Sequence, residues 1–189
     1  MRYGHIFLML FLAMLFPVLE GKAADISDGA ADKEGRYTEL DWEKLMPPDW
    51  NPAAAFDGLN LDMLDDNDPR VDNAMKKLKK LWDEAPGNPA VHGKTIAISG
   101  YVASLDFTGK TELKEFLLVP YFGACIHIPP PPANQIIHVT LLKPRKGIRS
   151  MDEVTVYGKL DLERRESDMG RSGYSMKADA VEPYIARQK

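Results

Sequence analysis

The stretch Thr-Ile-Ala-Ile-Ser-Gly-Tyr-Val, residues 95–102, decides the fold. Its residues alternate in polarity with a period of two, which is typical of a β-strand rather than a helix. Gly100 lies inside the stretch, and Gly158 lies inside a similar one further along. Glycine within a strand marks a bulge or a corner where a sheet curls. The pattern therefore predicts a strongly bent sheet.

Further strand patterns follow in the C-terminal half, each separated from the next by Pro or by Gly, Ser and Arg. They cover residues 115–119, 123–128, 135–142, 153–159 and 174–181. Five or six short strands of this length fit a small barrel of the oligonucleotide/oligosaccharide-binding (OB) type. The sequence predicts a mainly β, α+β fold, with an OB-like five- to six-stranded barrel over residues 90–186. A β-sandwich is the alternative.

One amphipathic helix is predicted before the barrel, over residues 68–86. Asp68-Pro69 is a strong helix start, since the carboxylate can cap the first turn and proline has a helical φ. Apolar residues then recur at spacings of three and four, and Pro86-Gly87 ends the pattern. Four lysines, at positions 76, 77, 79 and 80, lie off the apolar stripe and are interpreted as a solvated face.

The composition excludes several classes of protein. The chain has 189 residues, one Cys, 44% hydrophobic residues and a formal net charge of −4. These values argue against a fully disordered chain, a collagen-like chain and a disulfide-stapled scaffold. A dedicated nucleic-acid-binding domain would carry a strongly basic surface, so nucleic acid is not an expected partner.

Residues 1–23 have the pattern of a cleaved signal peptide. Arg2 precedes an apolar run of 11 residues, and Gly21-Lys22-Ala23 offers small residues at a cleavage site. A membrane anchor is the alternative, but 11 residues are too few to cross about 30 Å of hydrocarbon. The sequence therefore predicts a periplasmic or secreted protein with no membrane span in its mature form.

The segment after the signal, residues 24–67, is predicted to be an acidic N-terminal arm. Residues 25–70 carry a net charge of −9, whereas residues 71–189 carry +4. The arm is either solvated or folded against the basic remainder. Within it, Trp42 and Leu45 lie three apart before Pro47, which predicts a short docking helix over residues 40–47.

The residues that offer chemistry lie within the third strand pattern, residues 123–128, and just after it. Cys125 and His127 are two apart, and alternate side chains of a strand share a face. A thiolate and an imidazole are good zinc ligands, and His138 on the next strand is a third candidate. Asn134, Gln135 and Tyr121 are candidates for supporting or binding roles. Zinc is the expected ion, with other divalent ions or copper as alternatives.

Other interpretations of Cys125 stay open. A lone Cys can be a small buried apolar residue, or it can form a mixed disulfide with a partner. A fourth metal ligand is not selected by spacing, although His92, Asp106 and Glu115 are candidates. No nucleophile elbow, phosphate loop or His-Glu-x-x-His motif is present, so an enzyme is not expected.

Residues 120–135, Pro-Tyr-Phe-Gly-Ala-Cys-Ile-His-Ile-Pro-Pro-Pro-Pro-Ala-Asn-Gln, resemble the signature of a bacterial family of exported proteins. The family is domain of unknown function thirty-two ninety-nine, and residues 41–47 resemble its N-terminal tryptophan motif. The resemblance implies a periplasmic OB-like domain, often encoded near zinc-responsive genes for an ATP-driven transporter. It carries over to Cys125, His127, Asn134 and Gln135, while His138 lies outside the signature.

Two functions are therefore expected. The first is a periplasmic metal-binding accessory protein, with zinc as the expected ion, that binds the metal through Cys125, His127 and His138 and works with a membrane transporter. The alternative is a non-metal interaction domain that docks to a membrane partner through Tyr121, Phe122 and the proline run.

Overall fold

The structure is a computed structural model that describes residues 35–58, 68–105, 112–124 and 130–185. The predicted signal peptide, parts of the acidic arm, Cys125 and His127 lie outside the described residues. The strands are β1 (Thr38–Glu39), β2 (Thr95–Ser104), β3 (Glu112–Val119), β4 (Ile137–Lys146), β5 (Glu153–Asp161), β6 (Arg165–Ser167), β7 (Gly170–Ser172) and β8 (Tyr174–Pro183), and the helix α1 is Pro69–Asp83.

Five of these strands close into a barrel. Their order is β2-β3-β4-β8-β5, and β5 pairs again with β2. The β4–β8 pair is parallel, whereas the other four neighbouring pairs are antiparallel. The predicted OB-like barrel with one N-terminal helix is thus confirmed, because the sheet closes on itself instead of splitting into a sandwich.

The barrel interior is filled by alternate side chains of the five strands, together with Leu45 from the arm. Phe116 and Leu118 of β3 and Ile137 and Val139 of β4 all point inward. The residues between them, including Leu117 and His138, consequently face outward. This alternation places His138 on the outer face of the barrel.

Gly100 lies at a crowded position in β2. A Cβ at this position would lie 2.6 Å from the carbonyl oxygen of Val119 and 2.9 Å from Cζ2 of Trp42. Only glycine lets the β3 backbone and the Trp42 ring approach β2 so closely. The glycine that predicted a bent strand therefore also makes room for Trp42 of the arm.

The arm runs across the barrel rather than away from it. Strand β1 pairs in parallel with β2, and Trp42 donates a hydrogen bond from Nε1 to the carbonyl of Ser99 at 2.7 Å. Leu45 is fully buried, and its carbonyl oxygen accepts a hydrogen bond from the Tyr174 hydroxyl at 2.7 Å. The expected docking element is a 3₁₀ turn over Trp42–Leu45, shorter than the helix predicted for residues 40–47.

Helix α1 begins at Pro69, as predicted, and ends at Asp83, three residues before the predicted end. Glu84 closes the helix with backbone bonds to Lys80 and Trp82, and Pro86 follows two residues later. Of the helices that the structure describes, none combines the length and the apolar character that crossing a bilayer requires.

Asp68 is expected to stabilise the start of α1 in a pH-dependent way. Its side-chain hydrogen bond with Arg70, then the Arg70 backbone N–H, lower its pKa from 3.8 to about 2. A lowered native pKa means that the stabilisation is complete above pH 4 and is lost as the pH falls through about 2. We expect Asp68→Ala to speed amide hydrogen exchange in the first turn at pH 7.

Asp68→Asn is the matched control, since an asparagine cap still accepts the Arg70 N–H but carries no charge. We expect its first-turn exchange at pH 7 to be slower than that of Asp68→Ala. Its helix stability should lack the acid-dependent component between pH 4 and pH 2. Equal exchange rates in the native protein and in Asp68→Ala would contradict the role of the cap.

Two local features differ from the expectations. Residues 123–128 were expected to form a strand, but Gly123, with a φ of 79°, and Ala124 lie in a turn. Left-handed backbone at Gly123 is incompatible with a continuing strand. The rest of that segment lies outside the described residues. The short β6–β7 hairpin had no clear signal in the sequence.

Candidate functional site

The described residues on either side of the Cys125–His127 segment lie on the outer face of the barrel. Ala124 belongs to an outer cluster of buried apolar residues: Ala103, Leu117, Val119, Ala124 and Ile136. On the other side, Pro130 lies beside the β6–β7 hairpin, where a Cβ on Gly170 would be 3.4 Å from the Pro130 Cβ. The two described neighbours of that segment, Ala124 and Pro130, therefore both lie on this side of the barrel.

His138 is on the same face. It pairs across the sheet with Leu117 of the outer cluster on one side and with Ser175 of β8 on the other. Its side chain is 8% exposed, and Nδ1 is buried with no hydrogen-bond partner among the described residues. Buried polar atoms are normally hydrogen-bonded, so Nδ1 is unusual within the described part of the chain. It is distinct from Nε2, the ring nitrogen that faces Glu115.

Glu115 is an acidic neighbour of His138 among the described residues. Glu115 lies two positions before Leu117 on β3, and Leu117 pairs with His138 on β4. The side chains of Glu115 and His138 are therefore diagonal neighbours on the outer face. Glu115 Oε2 lies 3.5 Å from His138 Nε2. This separation exceeds the usual range of roughly 2.7–3.2 Å for an N–H···O hydrogen bond. The two atoms are close without being well bonded to each other.

The imidazole is held toward its neutral form. Burial lowers the pKa of His138, and the positive charge of Arg165 lowers it further, whereas Glu115 and Glu163 act in the opposite direction. Burial is the largest of these effects. A neutral imidazole keeps a lone pair on one ring nitrogen, which is the form that binds metals.

A second charged group lies on the β8 side of His138. The Ser175 hydroxyl donates a hydrogen bond to Glu163 Oε2 at 2.6 Å, and Arg165 lies 3.1 Å from Glu163 Oε1. The bond from Ser175, followed by the bond from Arg165, lowers the pKa of Glu163. Because Ser175 is the cross-strand partner of His138, this ion pair lies at the edge of the same face.

Asn134 and Gln135 are both buried in the 3₁₀ turn Ala133–Gln135. Asn134 Nδ2 donates to the carbonyl of Pro86 at 3.0 Å, and Gln135 Nε2 donates to the carbonyl of Trp42 at 3.0 Å. The Oδ1 atom of Asn134 has no partner among the described residues. The two amides thus tie this turn to the arm and to the end of α1. Their supporting role in metal binding stays a prediction.

Tyr121 and Phe122 are exposed on the turn that follows β3. Phe122 is 63% exposed and packs edge-on against Tyr101, with ring centroids 5.8 Å apart. Tyr121 is 41% exposed. These two rings are the surface on which the alternative, non-metal function depends.

The other candidate fourth ligands are less well placed. Nδ1 of His92 accepts a hydrogen bond from the backbone N–H of Leu162 at 3.0 Å, which occupies that nitrogen. Asp106 lies outside the described residues. Within the described parts of the chain, no group of three His, Cys, Asp or Glu side chains is arranged to hold a metal. The His138–Glu115 pair brings two such groups of the outer face within 3.5 Å of each other, and His92 Nδ1 and Asp161 Oδ1 lie 3.9 Å apart.

Glu163 and Arg165 were not selected by the sequence. They lie 25 or more residues from His138 and have no recognisable spacing relative to it. The parallel pairing of β4 with β8 creates this proximity, and parallel partners are not predictable from local patterns. Glu115, by contrast, was a candidate that only the barrel register could single out.

The comparisons with known proteins agree with one another. The sequence model of a family described as "Protein of unknown function (DUF3299)" matches residues 42–183. A similar solved structure is that of a DUF3299 family protein, PA4066, from Pseudomonas aeruginosa PAO1. It is 30% identical, with a TM-score of 0.60, and the match covers 82% of this chain and 100% of that chain. No curated protein matches the sequence.

Proposed function

The chain belongs to the DUF3299 family of proteins of unknown function, and from this premise we propose that it is an exported, zinc-binding accessory protein. In this proposal, His138 and Glu115 bind the ion on the outer face of the barrel. Cys125 and His127 are proposed to complete the ligand set. The protein works beside a membrane transporter in the periplasm.

The observation that carries the proposal is the geometry of His138 and Glu115. Zinc–nitrogen and zinc–oxygen bonds of about 2.0–2.2 Å at a tetrahedral angle separate two ligand atoms by roughly 3.3–3.5 Å. Their Nε2 and Oε2 atoms are 3.5 Å apart, which is too long for a good hydrogen bond but suits two ligands of one ion. Burial also favours the neutral imidazole that a metal requires.

Chain connectivity supports the inclusion of Cys125. Ala124 is buried in the outer cluster next to Leu117, the residue that pairs with His138. Consecutive Cα atoms are 3.8 Å apart, so Cys125 follows directly from a residue anchored on this face. A thiol in an oxidising compartment is also protected from oxidation when it is metal-bound. The transporter and the periplasmic location rest on the signal-peptide pattern and on what the family resemblance implies.

Zinc binding is preferred to the docking function because its two candidate ligands are already juxtaposed. The exposed Tyr121 and Phe122 rings define an apolar surface, but no contact among the described residues selects a partner for it. Zinc binding, in contrast, is supported by two atoms that lie 3.5 Å apart, Nε2 of His138 and Oε2 of Glu115.

The test is a zinc titration of the mature chain against a competing chromophoric chelator, under reducing conditions. We expect one zinc per chain in the native protein. His138→Gln and Cys125→Ser should each weaken zinc binding by roughly 100-fold. Loss of a residue that only supports a metal ligand costs up to roughly 100-fold in affinity, and loss of a ligand itself should cost at least as much. Glu115→Gln should weaken it by at least about tenfold.

The matched control is Glu112→Gln. Glu112 is on the same strand as Glu115 but pairs with Lys146 at 3.4 Å, so its loss should leave zinc affinity unchanged. Circular dichroism of each variant verifies that the barrel is folded. Absence of stoichiometric zinc binding by the native protein would refute the proposal. Native-like binding by both His138→Gln and Glu115→Gln would refute this ligand assignment.

A further inference from the structure

We propose that the outer end of the β3–β4 strand pair is a docking surface for an anionic phospholipid bilayer. This surface, the basic ribbon, comprises residues 112–114 of β3 and residues 142–146 of β4. The inference goes beyond zinc binding and does not depend on it. It rests on an exposed leucine, on the basic residues next to that leucine, and on the distance of the ribbon from the acidic arm.

A bulge in β4 presents the leucine to solvent. Between two successive cross-strand pairs, β3 has one residue, Lys114, whereas β4 has four, residues 141–144. A bulge bends its strand and re-aims the side chains that it carries. Leu141 still packs into the barrel core, but Leu142 is 74% exposed. Beyond Leu141, β4 no longer pairs with β8, and residues 142–147 are all exposed.

The residues next to this leucine are basic. The basic ribbon carries four basic residues and one acidic residue, Glu112, which lies 3.4 Å from Lys146. Lys143 and Lys114 are exposed and form no ion pair within the described ranges. The Arg145 guanidinium donates to a backbone carbonyl, which leaves its charge uncompensated. The ribbon therefore combines an exposed apolar side chain with a net charge of +3.

The acidic arm lies at the other end of the barrel. Strands β2, β4 and β8 run in one direction, because β2 and β4 are both antiparallel to β3 and β4 is parallel to β8. The arm contacts the starts of these strands, at Ile96 of β2 and at Tyr174 of β8. The basic ribbon lies where β4 ends. The described part of the arm, residues 35–58, carries a net charge of −3. A negatively charged surface would thus attract the ribbon and repel the arm, which orients the molecule.

An anionic bilayer matches both properties of the ribbon. Its headgroups attract lysine and arginine, and its acyl chains can cover a leucine. A small soluble anion would match the charge but would leave the leucine in water. An uncharged apolar partner would cover the leucine but would gain nothing from the lysines. A bilayer with anionic headgroups is therefore the partner that uses the whole surface.

Acidic residues at the same end of the barrel restrict this attraction to close contact. Asp152, Glu153 and Glu182 line a cavity at the rim, and Asp152 Oδ1 lies 4.0 Å from Arg149 Nε. At physiological salt, exposed charges more than about 8 Å apart are largely screened from each other. Lysines that touch the headgroups therefore dominate, and we expect binding to be reversible and to weaken as salt is added.

The test is co-sedimentation of the mature chain with phosphatidylcholine vesicles that contain about one-third phosphatidylglycerol. We expect the native protein to bind these vesicles and not vesicles of phosphatidylcholine alone. Lys143→Gln and Lys114→Gln should each weaken binding by roughly fivefold, the effect of one basic residue near an anionic surface. Leu142→Ala should weaken it by roughly tenfold, because fewer carbon atoms leave water.

Lys76→Gln is the matched control. Lys76 is an exposed lysine on α1, and α1 packs beside the turn Pro52–Phe56 of the arm and the turn Ala133–Gln135 that precedes β4. Its removal should change vesicle binding by less than about twofold, because it lies away from the ribbon. Circular dichroism verifies that each variant is folded.

Absence of native binding to the phosphatidylglycerol vesicles would overturn the inference. It would also be overturned if Lys76→Gln weakened binding as much as Lys143→Gln, or if Leu142→Ala left binding unchanged, since either result describes adsorption by charge alone. The zinc titration is a separate measurement. Failure of vesicle binding leaves the proposed zinc function standing, and failure of zinc binding leaves the lipid surface standing.

Discussion

Replacing Gly100 with alanine is expected to lower the free energy of unfolding by about 3 kcal/mol, the upper part of the range for overpacked sites. The added methyl group would lie 2.6 Å from the Val119 carbonyl oxygen, which belongs to the β3 backbone. It would also lie 2.9 Å from the Trp42 ring. Relief would require strand β3 and the arm to move away from β2 together. Urea unfolding followed by tryptophan fluorescence measures the loss.

Gly147→Ala separates this steric effect from a general cost of replacing glycine. Gly147 has open space around its Cα, but its φ is 85°, so alanine there is strained by about 1 kcal/mol. Gly100 has no such backbone requirement, and its cost comes from crowding alone. A loss for Gly100→Ala that is equal to or smaller than that for Gly147→Ala would show that the barrel tolerates a wider gap between β2 and β3.

The sequence predicted the barrel because the barrel depends on local signals. Period-two patterns, strand glycines and Pro-rich breaks are all readable over fewer than ten residues. Gly100 and Gly158 both occupy crowded strand positions, where an added Cβ would meet neighbouring backbone. The Asp68-Pro69 helix start was equally local, and it was placed correctly.

The features that were missed depend on contacts between distant parts of the chain. Strand β1 has only two residues, Thr38 and Glu39, and it exists because β2 offers it an edge. The chain just after α1 is held by hydrogen bonds from Arg164 to the carbonyls of Glu84 and Ala85. The 3₁₀ turn Trp42–Leu45 is held by the Trp42–Ser99 hydrogen bond and by the burial of Leu45. Intrinsic propensity is a weak guide wherever tertiary contacts decide the local conformation.

The candidate site was also predictable only where it depends on local sequence and not on contacts between distant strands. His138 could be selected from the sequence because its residue type is a common metal ligand. Its closeness to Glu115, and the ion pair of Glu163 with Arg165 beside it, arise from the register of β3, β4 and β8. Register is set by how a whole sheet buries its apolar face, so it is not visible in any single segment.

The arm should be as important for stability as a barrel strand. We expect Leu45→Ala to lower the free energy of unfolding by about 3 kcal/mol, the cost of a cavity left by a fully buried leucine. Leu45 is 0% exposed and lies in the main core, although it is 50 residues before β2. Its backbone carbonyl also accepts hydrogen bonds from Tyr174 and from the Asn88 N–H, so the loosened turn would weaken those bonds too.

Leu142→Ala is the matched control, because it makes the same truncation of leucine to alanine at an exposed position. Leu142 is 74% exposed on β4, and its truncation should change the free energy of unfolding by less than about 0.5 kcal/mol. Urea unfolding of both variants measures the difference. If Leu45→Ala were as mild as Leu142→Ala, the arm would be an appendage that the barrel does not need. If the expected loss is found, the arm cannot be released from the barrel without opening the core.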